Sequence, residues 1–279
     1  DAPVFGLCPY KGLSYFEEAD ADFFVGREAL TAKLVDRVIS LTDQDQAGND
    51  RFLAIVGASG SGKSSLVRAG LVPALRWDKR SANWPIHIFT PGAHPLESLA
   101  MSLTQETGSV NATLALLDDL KSDPRSLSVY INRMLKTTGA PFLLLFIDQF
   151  EELFALCRSK EERSTFIHNL LTSADKENGQ TIIIISLRAD FYVSCVGYPQ
   201  LRQALAQNQE YIGSMTDDEL RRVIEEPARR GCWEVEPGLT DLILHDVGHE
   251  PGALPLLSHA LFETWQRRHG RTLTFSGYS

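Results

Sequence analysis

Cysteine is scarce and scattered. The four, Cys8, Cys157, Cys195 and Cys232, form no C-x-x-C pair. That excludes the common zinc and dithiol frameworks and fits free thiols in a reducing cytosol. Long apolar runs are missing as well. The longest, Pro141–Ile147, is far too short to span a bilayer, so no membrane partner is expected. No basic stretch leads into an apolar run at the N-terminus, so no signal peptide is visible, and the start at Asp1 suggests an excised fragment. Positive charge is in deficit, with 27 Lys and Arg against 36 Asp and Glu, a formal net charge of −9. This balance argues against broad adhesion to DNA or anionic membrane, while leaving room for a local basic groove. There is no internal repeat and no low-complexity tract.

What remains is the profile of a soluble globular chain. It has 279 residues, 43% hydrophobic and 23% charged, enough for one large or two ordinary domains. Residues 1–24 show no sustained period and read as an extended lead-in. Apolar residues recur at helical spacing from Arg27 to Leu41, and the polar stretch Asp43–Asp50 reads as a mobile loop. Short apolar runs follow at Phe52–Val56, Ile86–Phe89, Phe142–Ile147, Thr181–Leu187 and, most weakly, Tyr211–Ile212. Helical segments separate most of them: Lys63–Leu75, Pro95–Glu106, Asn111–Leu120, Arg125–Lys136 and Glu161–Ala174. This alternation predicts an α/β fold, a five-stranded parallel sheet flanked by helices. From about 214 the texture turns helical. Thr216-Asp217-Asp218-Glu219 is a capping box opening a helix to about Arg230. Further helices are expected at Leu239–Val247 and Leu254–Arg268, with a strand-like Leu273-Thr274-Phe275 near the end. The expected organisation is a lead-in over 1–24, a nucleotide-binding domain over 25–213 and a small all-helical subdomain over 214–279.

The strongest motif is Gly57-Ala58-Ser59-Gly60-Ser61-Gly62-Lys63-Ser64, which satisfies G-x-x-x-x-G-K-[ST] at every fixed position. Its glycines let successive N–H groups curl toward phosphate oxygens, and the helix that follows aims its positive end at the same place. Lys63 adds a point charge toward the β- and γ-phosphates, the Ser64 hydroxyl suits magnesium, and Ser65 completes the cradle. ATP or ADP with Mg2+ is the implied ligand. No Asn-Lys-x-Asp occurs to select guanine. Lys63 is expected to be exposed.

A second strand delivers Asp148 at its C-terminal tip, where a magnesium partner is needed. Glu151 and Glu152 follow. One of them orients or deprotonates the attacking water, or both are first-turn residues favoured by the helix dipole. A third strand ends in Arg188-Ala189-Asp190-Phe191. Arg188 either reads the γ-phosphate or pairs with a carboxylate such as Asp190.

In this order the motifs resemble the STAND class of P-loop NTPases, and more narrowly its bacterial novel-STAND group, over nearly the whole chain. Cys8-Pro9-Tyr10-Lys11-Gly12-Leu13 and Phe23-Phe24-Val25-Gly26-Arg27-Glu28 are similar to that group's opening segment. Asp148-Gln149-Phe150-Glu151-Glu152 resembles its Walker B, Leu187–Phe191 its sensor strand, and Gly252-Ala253-Leu254-Pro255-Leu256 its Gly-Leu-Pro signature. The resemblance implies an AAA/STAND-like strand order and adenine contacts from Val25, Gly26, Arg27 and Pro255. It implies a winged-helix domain beyond Ser279, and a cytoplasmic switch in bacterial signalling or defence. There, exchange of ADP for ATP controls self-association and effector output, and the helical subdomain moves with the nucleotide. Gln149 departs from the pattern, because many relatives in the wider ATPase division carry a catalytic Glu there, so hydrolysis rests on Glu152 or is slow. Two rivals stand beside the switch: an AAA-type motor or loader acting on nucleic acid or protein, and a degenerate nucleotide-binding scaffold.

Smaller signals point to packing. His245 and His249 share i, i+4 spacing but lack the Glu of a metalloprotease helix. Trp233 and Trp265 read as packing residues, and the pairs Arg221–Arg222, Arg229–Arg230 and Arg267–Arg268 as solvated helix faces.

Overall fold

The computed structural model describes residues 6–43, 50–177, 179–248 and 252–279. His249 and positions 44–49 of the expected loop lie outside the described residues. The chain opens with a 3-10 turn, Glu18–Phe23, then α1 (Glu28–Ser40) and β1 (Phe52–Gly57). The next helical rod joins α2 (Lys63–Ser65), a π-helical segment Leu66–Leu71 and α3 (Val72–Trp77). β2 (Ile86–Phe89), α4 (Pro95–Thr104), α5 (Val110–Ser122), α6 (Ser126–Thr138) and β3 (Leu143–Ile147) follow. Then come α7 (Glu152–Ala155), α8 (Lys160–Ala174), β4 (Thr181–Arg188), α9 (Pro199–Gln207) and β5 (Gln209–Ile212). The last stretch holds α10 (Asp217–Arg230), β6 (Glu234–Val235), α11 (Leu239–Val247), α12 (Ala253–Gln266), β7 (Thr272–Leu273) and α13 (Phe275–Tyr278).

Two compact units emerge. One comprises Asp36–Gly57 and Arg76–Tyr211 and holds the sheet; the other comprises residues up to Val35, Ala58–Leu75 and Ile212–Ser279. The sheet has five strands in the order β2-β3-β4-β1-β5, with parallel pairing of β2 to β3, β3 to β4 and β4 to β1. Strands buried on both faces need continuous apolar sequence, and β1 and β3 are buried at every position. The pleat divides them. Phe52, Ala54, Val56, Leu143, Leu145, Ile147, Ile183, Ile185 and Leu187 join a core with α4, α5, α6, α8 and α9. The alternate residues Leu53, Ile55, Leu144, Phe146 and Ile184 are equally inaccessible.

The three-segment unit has its own core: Tyr10, Leu220, Ile224, Ala228, Trp233, Leu239, Ile243, Leu257, Leu261 and Leu273. The predicted capping box is present. Thr216 Oγ1 accepts the Glu219 N–H at 3.2 Å, and the Glu219 carboxylate accepts the Thr216 N–H at 2.9 Å. Two-residue strands β6 and β7 pair in parallel beside the helices.

Several elements differ from expectation. α9 has no counterpart in the sequence reading, although Leu201, Ala204 and Leu205 are its buried residues at helical spacing. The lead-in carries the Glu18–Phe23 turn. The strand expected over Leu273–Phe275 stops at Leu273, because the Thr274 side chain accepts the Gly277 N–H and caps α13. No helix among the described residues is long and apolar enough to cross a membrane.

Candidate functional site

In the sheet unit, register alone brings Gly57, Asp148 and Arg188 to one rim. Gly57, the first P-loop residue, lies opposite Arg188, and Ile147 lies opposite Ile185, so Asp148 follows at the same C-terminal rim. Ligands of open parallel sheets bind at that rim. Asp148 is 1% exposed. Its Oδ1 accepts the Ser186 hydroxyl at 2.8 Å and the Gln149 N–H at 3.0 Å. Its own N–H donates to the Phe89 carbonyl at 2.8 Å. Gln149 turns through a left-handed conformation, φ 51°.

The two candidate bases part here. Glu151 accepts the Arg188 N–H at 3.3 Å and so ties the turn to β4. Burial pushes the Glu152 carboxyl above its ordinary pKa; the charges of Glu151 and Asp148 add to this, and the Gly92 N–H opposes it. A base poised upward from the usual carboxylate range suits proton abstraction. Arg188 donates from Nε and a terminal nitrogen to Asp190 at 3.1 and 2.7 Å, which raises its pKa further. The pair is partly exposed, 38% and 58%, and such pairs contribute about 0–1 kcal/mol. Exchange of Asp190 for a phosphate oxygen is therefore cheap.

In the other unit the phosphate loop curls through Gly60 at φ 71° and Gly62 at φ 86°, a region that favours glycine. Gly62 leads directly into α2, the order in which a glycine loop delivers a phosphate to a helix start. Lys63 corrects the sequence reading: it is 8% exposed rather than open, because its Nζ folds back to donate to the Ala58 carbonyl at 2.8 Å. The Ser61 hydroxyl is buried with no protein partner, a polar atom that a phosphate oxygen would satisfy. Ser59 is exposed, and Ser64 is half-buried. Ser65 Oγ accepts the Phe16 N–H at 3.1 Å.

The expected adenine-contact residues lie in this same unit. A Cβ on Gly60 would stand 2.6 Å from Pro255 Cγ, so Pro255 at the start of α12 sits on the tip of the phosphate loop. Val25, Gly26 and Arg27 are buried. A Cβ on Gly26 would meet the Glu219 carbonyl and Val223 at 2.9 Å, which places Gly26 hard against α10. The Arg27 guanidinium donates to the Gly213 carbonyl at 2.8 Å and lies 4.0 Å from Glu219.

Of the arginines expected on solvated faces, Arg222 and Arg230 are exposed yet also tie distant segments, and Arg268 is buried. Arg222 binds Glu28 at 2.8 Å, and Arg230 donates to the Asp22 carbonyl. Arg268, 7% exposed, stacks 3.8 Å over Trp265 and 4.6 Å over Trp233. Ser186 is the site residue that sequence reasoning missed. Its signal was a hydroxyl closing the apolar run Ile182–Ile185.

Among the described residues no group of three or more His, Cys, Asp or Glu can hold a metal ion. Ser64 in the phosphate-loop unit and Asp148 in the sheet unit each carry an oxygen donor of the kind magnesium takes, and magnesium completes its shell with phosphate and water.

The sequence model of the family Novel STAND NTPase 1 matches residues 9–279. No curated protein matches the chain. Among solved structures, the chain is similar to the Aeropyrum pernix ORC2 protein in its ADPNP-ADP complexes, at TM-score 0.62 and 15% identity, covering 90% of this chain and 66% of that one. It is similar to the Aeropyrum pernix ORC1 protein in complex with DNA, at TM-score 0.61 and 16% identity, covering 92% and 64%. The Walker-type ATPase PABY2304 of Pyrococcus abyssi gives TM-score 0.60 and 12% identity, covering 90% and 71%. The chain thus spans less than two thirds of the two ORC proteins, and at these identities the likeness shows the fold.

Proposed function

The chain belongs to the Novel STAND NTPase 1 family, and on that premise we propose that it is an ATP-driven switch, in which exchange of ADP for ATP at the phosphate loop repositions the helical segment after Ile212. It is a nucleotide-binding P-loop ATPase by family and fold. The switch is the finer reading, together with a place in bacterial signalling or defence, slow turnover and control of self-association.

The observation that carries it is the seat of Pro255 on Gly60. Pro255, in the first turn of α12, rests on the tip of the phosphate loop, Gly26 packs against the first turns of α10, and Arg27 bonds to Gly213 and lies 4.0 Å from Glu219 of α10. What fills the loop therefore bears on two helices of the C-terminal segment. A ligand shifts such an equilibrium only by its differential affinity for the two arrangements. ATP differs from ADP by one γ-phosphate, and Arg188, held by an exchangeable partner, is our candidate to register it. A complete reversal from 1:99 needs about 5.5 kcal/mol of differential binding, more than one charge-assisted contact supplies, so a full switch takes further contacts that differ between the two arrangements.

Bound magnesium would neutralise developing charge on the transferred phosphoryl group. Ser64 and Asp148 would hold it. Lys63 leaves Ala58 for the phosphates, and Glu152 receives a proton from the attacking water. The Gln149 side chain has no carboxylate to offer, in keeping with slow hydrolysis.

Amide hydrogen exchange tests the switch. Protection across 217–268 should differ between ADP and a non-hydrolysable ATP analogue, most at the N-termini of α10 and α12. Identical protection with both nucleotides, each shown to be bound, reduces the protein to an ATPase without a switch.

A further inference from the structure

The motifs account for Asp148 but not for what holds it. Ser186 lies on β4, opposite Ile55 of β1, one position beyond the Ile185–Ile147 pairing. It is 1% exposed, and its strand is otherwise apolar from Ile182 to Leu187. A hydroxyl in such a place is unfavourable unless bonded. Here it is bonded in both senses: it donates to Asp148 Oδ1 at 2.8 Å and accepts the Gln149 N–H at 2.9 Å. The Ser186 carbonyl then accepts the Phe150 N–H at 2.8 Å. One residue thus grips three consecutive residues of the turn after β3.

That grip has two consequences. The Ser186 hydroxyl and the Gln149 N–H both address Asp148 Oδ1, which constrains the orientation of that carboxylate. Gln149, a non-glycine residue at φ 51°, holds a strained conformation that persists only where its surroundings over-determine it. The same turn sets the start of α7 and so the aim of Glu151 and Glu152. A serine placed merely to fill the core would do none of this.

We propose that Ser186 is a positioning residue for the magnesium–nucleotide complex, orienting the Asp148 carboxylate for the metal and locking the left-handed Gln149 turn. The inference rests on the reading of this protein as a magnesium-dependent ATPase. Groups that orient a metal ligand without touching the metal typically change metal affinity or activity by about 10–100-fold when removed. Ser186 acts only through Asp148, so its loss appears in the metal requirement and spares nucleotide binding without metal.

The test compares wild type, Ser186→Ala and Ser186→Thr by calorimetry with a non-hydrolysable ATP analogue, with chelator and across a magnesium series. Ser186→Ala should raise the magnesium needed for half-maximal enhancement of binding by about tenfold, with affinity in chelator unchanged. Ser186→Thr keeps the hydroxyl on a residue that suits a strand and should restore the wild-type requirement. If the alanine variant does not fold, Ser186→Cys, close in volume and only a weak donor, replaces it with the same expectation. A wild-type magnesium requirement in the hydroxyl-free variant overturns the proposal. So do equal losses with and without magnesium, or a threonine variant as impaired as alanine. A wild-type protein that binds nucleotide indifferently to magnesium overturns this inference alone. One that binds no nucleotide overturns the ATPase reading, and this inference with it.

Discussion

β3 buries all five of its residues, and every one is apolar. The phosphate-loop unit is held differently. Its core draws on the first and last of its three chain segments, and individual polar ties bind the segments as well. The Tyr10 hydroxyl donates to the Ile224 carbonyl at 2.6 Å, the Phe16 N–H to Ser65, Arg27 to Gly213, and Arg222 to Glu28. Apolar contacts are non-directional and indifferent to ligand. Polar ties are directional, and exposed ones exchange cheaply. The sheet thus suits a fixed platform for Asp148 and Arg188, while the segments around the phosphate loop suit a part that a ligand can rearrange.

Removing the charge at the centre of the loop should have the largest effect. Lys63→Ala is expected to reduce ATP affinity by at least about 100-fold, since a charge-assisted phosphate contact is lost from a preformed cradle. Calorimetry checks this, and near-wild-type circular dichroism shows that the sheet is untouched. Undiminished affinity would remove the phosphate loop from the argument altogether.

A pair of stability measurements sharpens the contrast itself. Leu145→Ala, at a fully buried position of β3, should cost about 2–5 kcal/mol by transfer and cavity terms. Tyr10→Phe removes one buried hydrogen bond and leaves the ring in place, for about 1 kcal/mol. Denaturant midpoints on both variants suffice. A Tyr10→Phe loss as large as that of Leu145→Ala would mean that the polar ties are as stiff as the sheet core, and the division of labour would fail.

The same contrast explains what could be read beforehand. Strands such as Thr181–Leu187 announce themselves, because burial on both faces demands an unbroken apolar run. The P-loop is legible because its φ-positive turns require glycine at fixed spacing. α9 escaped because three buried residues in an otherwise polar segment make a thin stripe. Arg268 looked like solvent-facing charge, since nothing local reveals its stacking on Trp233, and the distant partner of the exposed Arg222, Glu28, lies 194 positions away. Lys63 was expected to be open, and its bond to Ala58 depends on loop curvature that no residue pattern states. Ser186 was visible only as a polar interruption, whose meaning came from Asp148 on the neighbouring strand.

The smallest expected effect concerns pH, and it bears on Glu152, a group the fold pushes toward its neutral form. Burial, reinforced by Glu151 and Asp148, raises the Glu152 pKa in the folded chain. The folded protein therefore keeps a proton that the unfolded chain has already released. Across the window from the ordinary carboxylate pKa up to the raised value, the unfolded state binds fewer protons, so stability falls as pH rises. Below that window the contribution is fully present; above it, the contribution is gone. Glu152→Gln cannot titrate, and its stability profile should be flatter across the same interval. In wild type, the single-turnover rate should rise with pH through the raised pKa and then level off, because the base works only when ionised. Glu152→Gln should retain ATP, hydrolyse it slowly and lose that inflection. A Glu152→Gln protein with the wild-type rate and the wild-type inflection would return the water to Glu151. The Glu151 contact with the Arg188 N–H would then be a resting arrangement that breaks before chemistry, and the rim of the sheet would be less fixed than its buried strands imply.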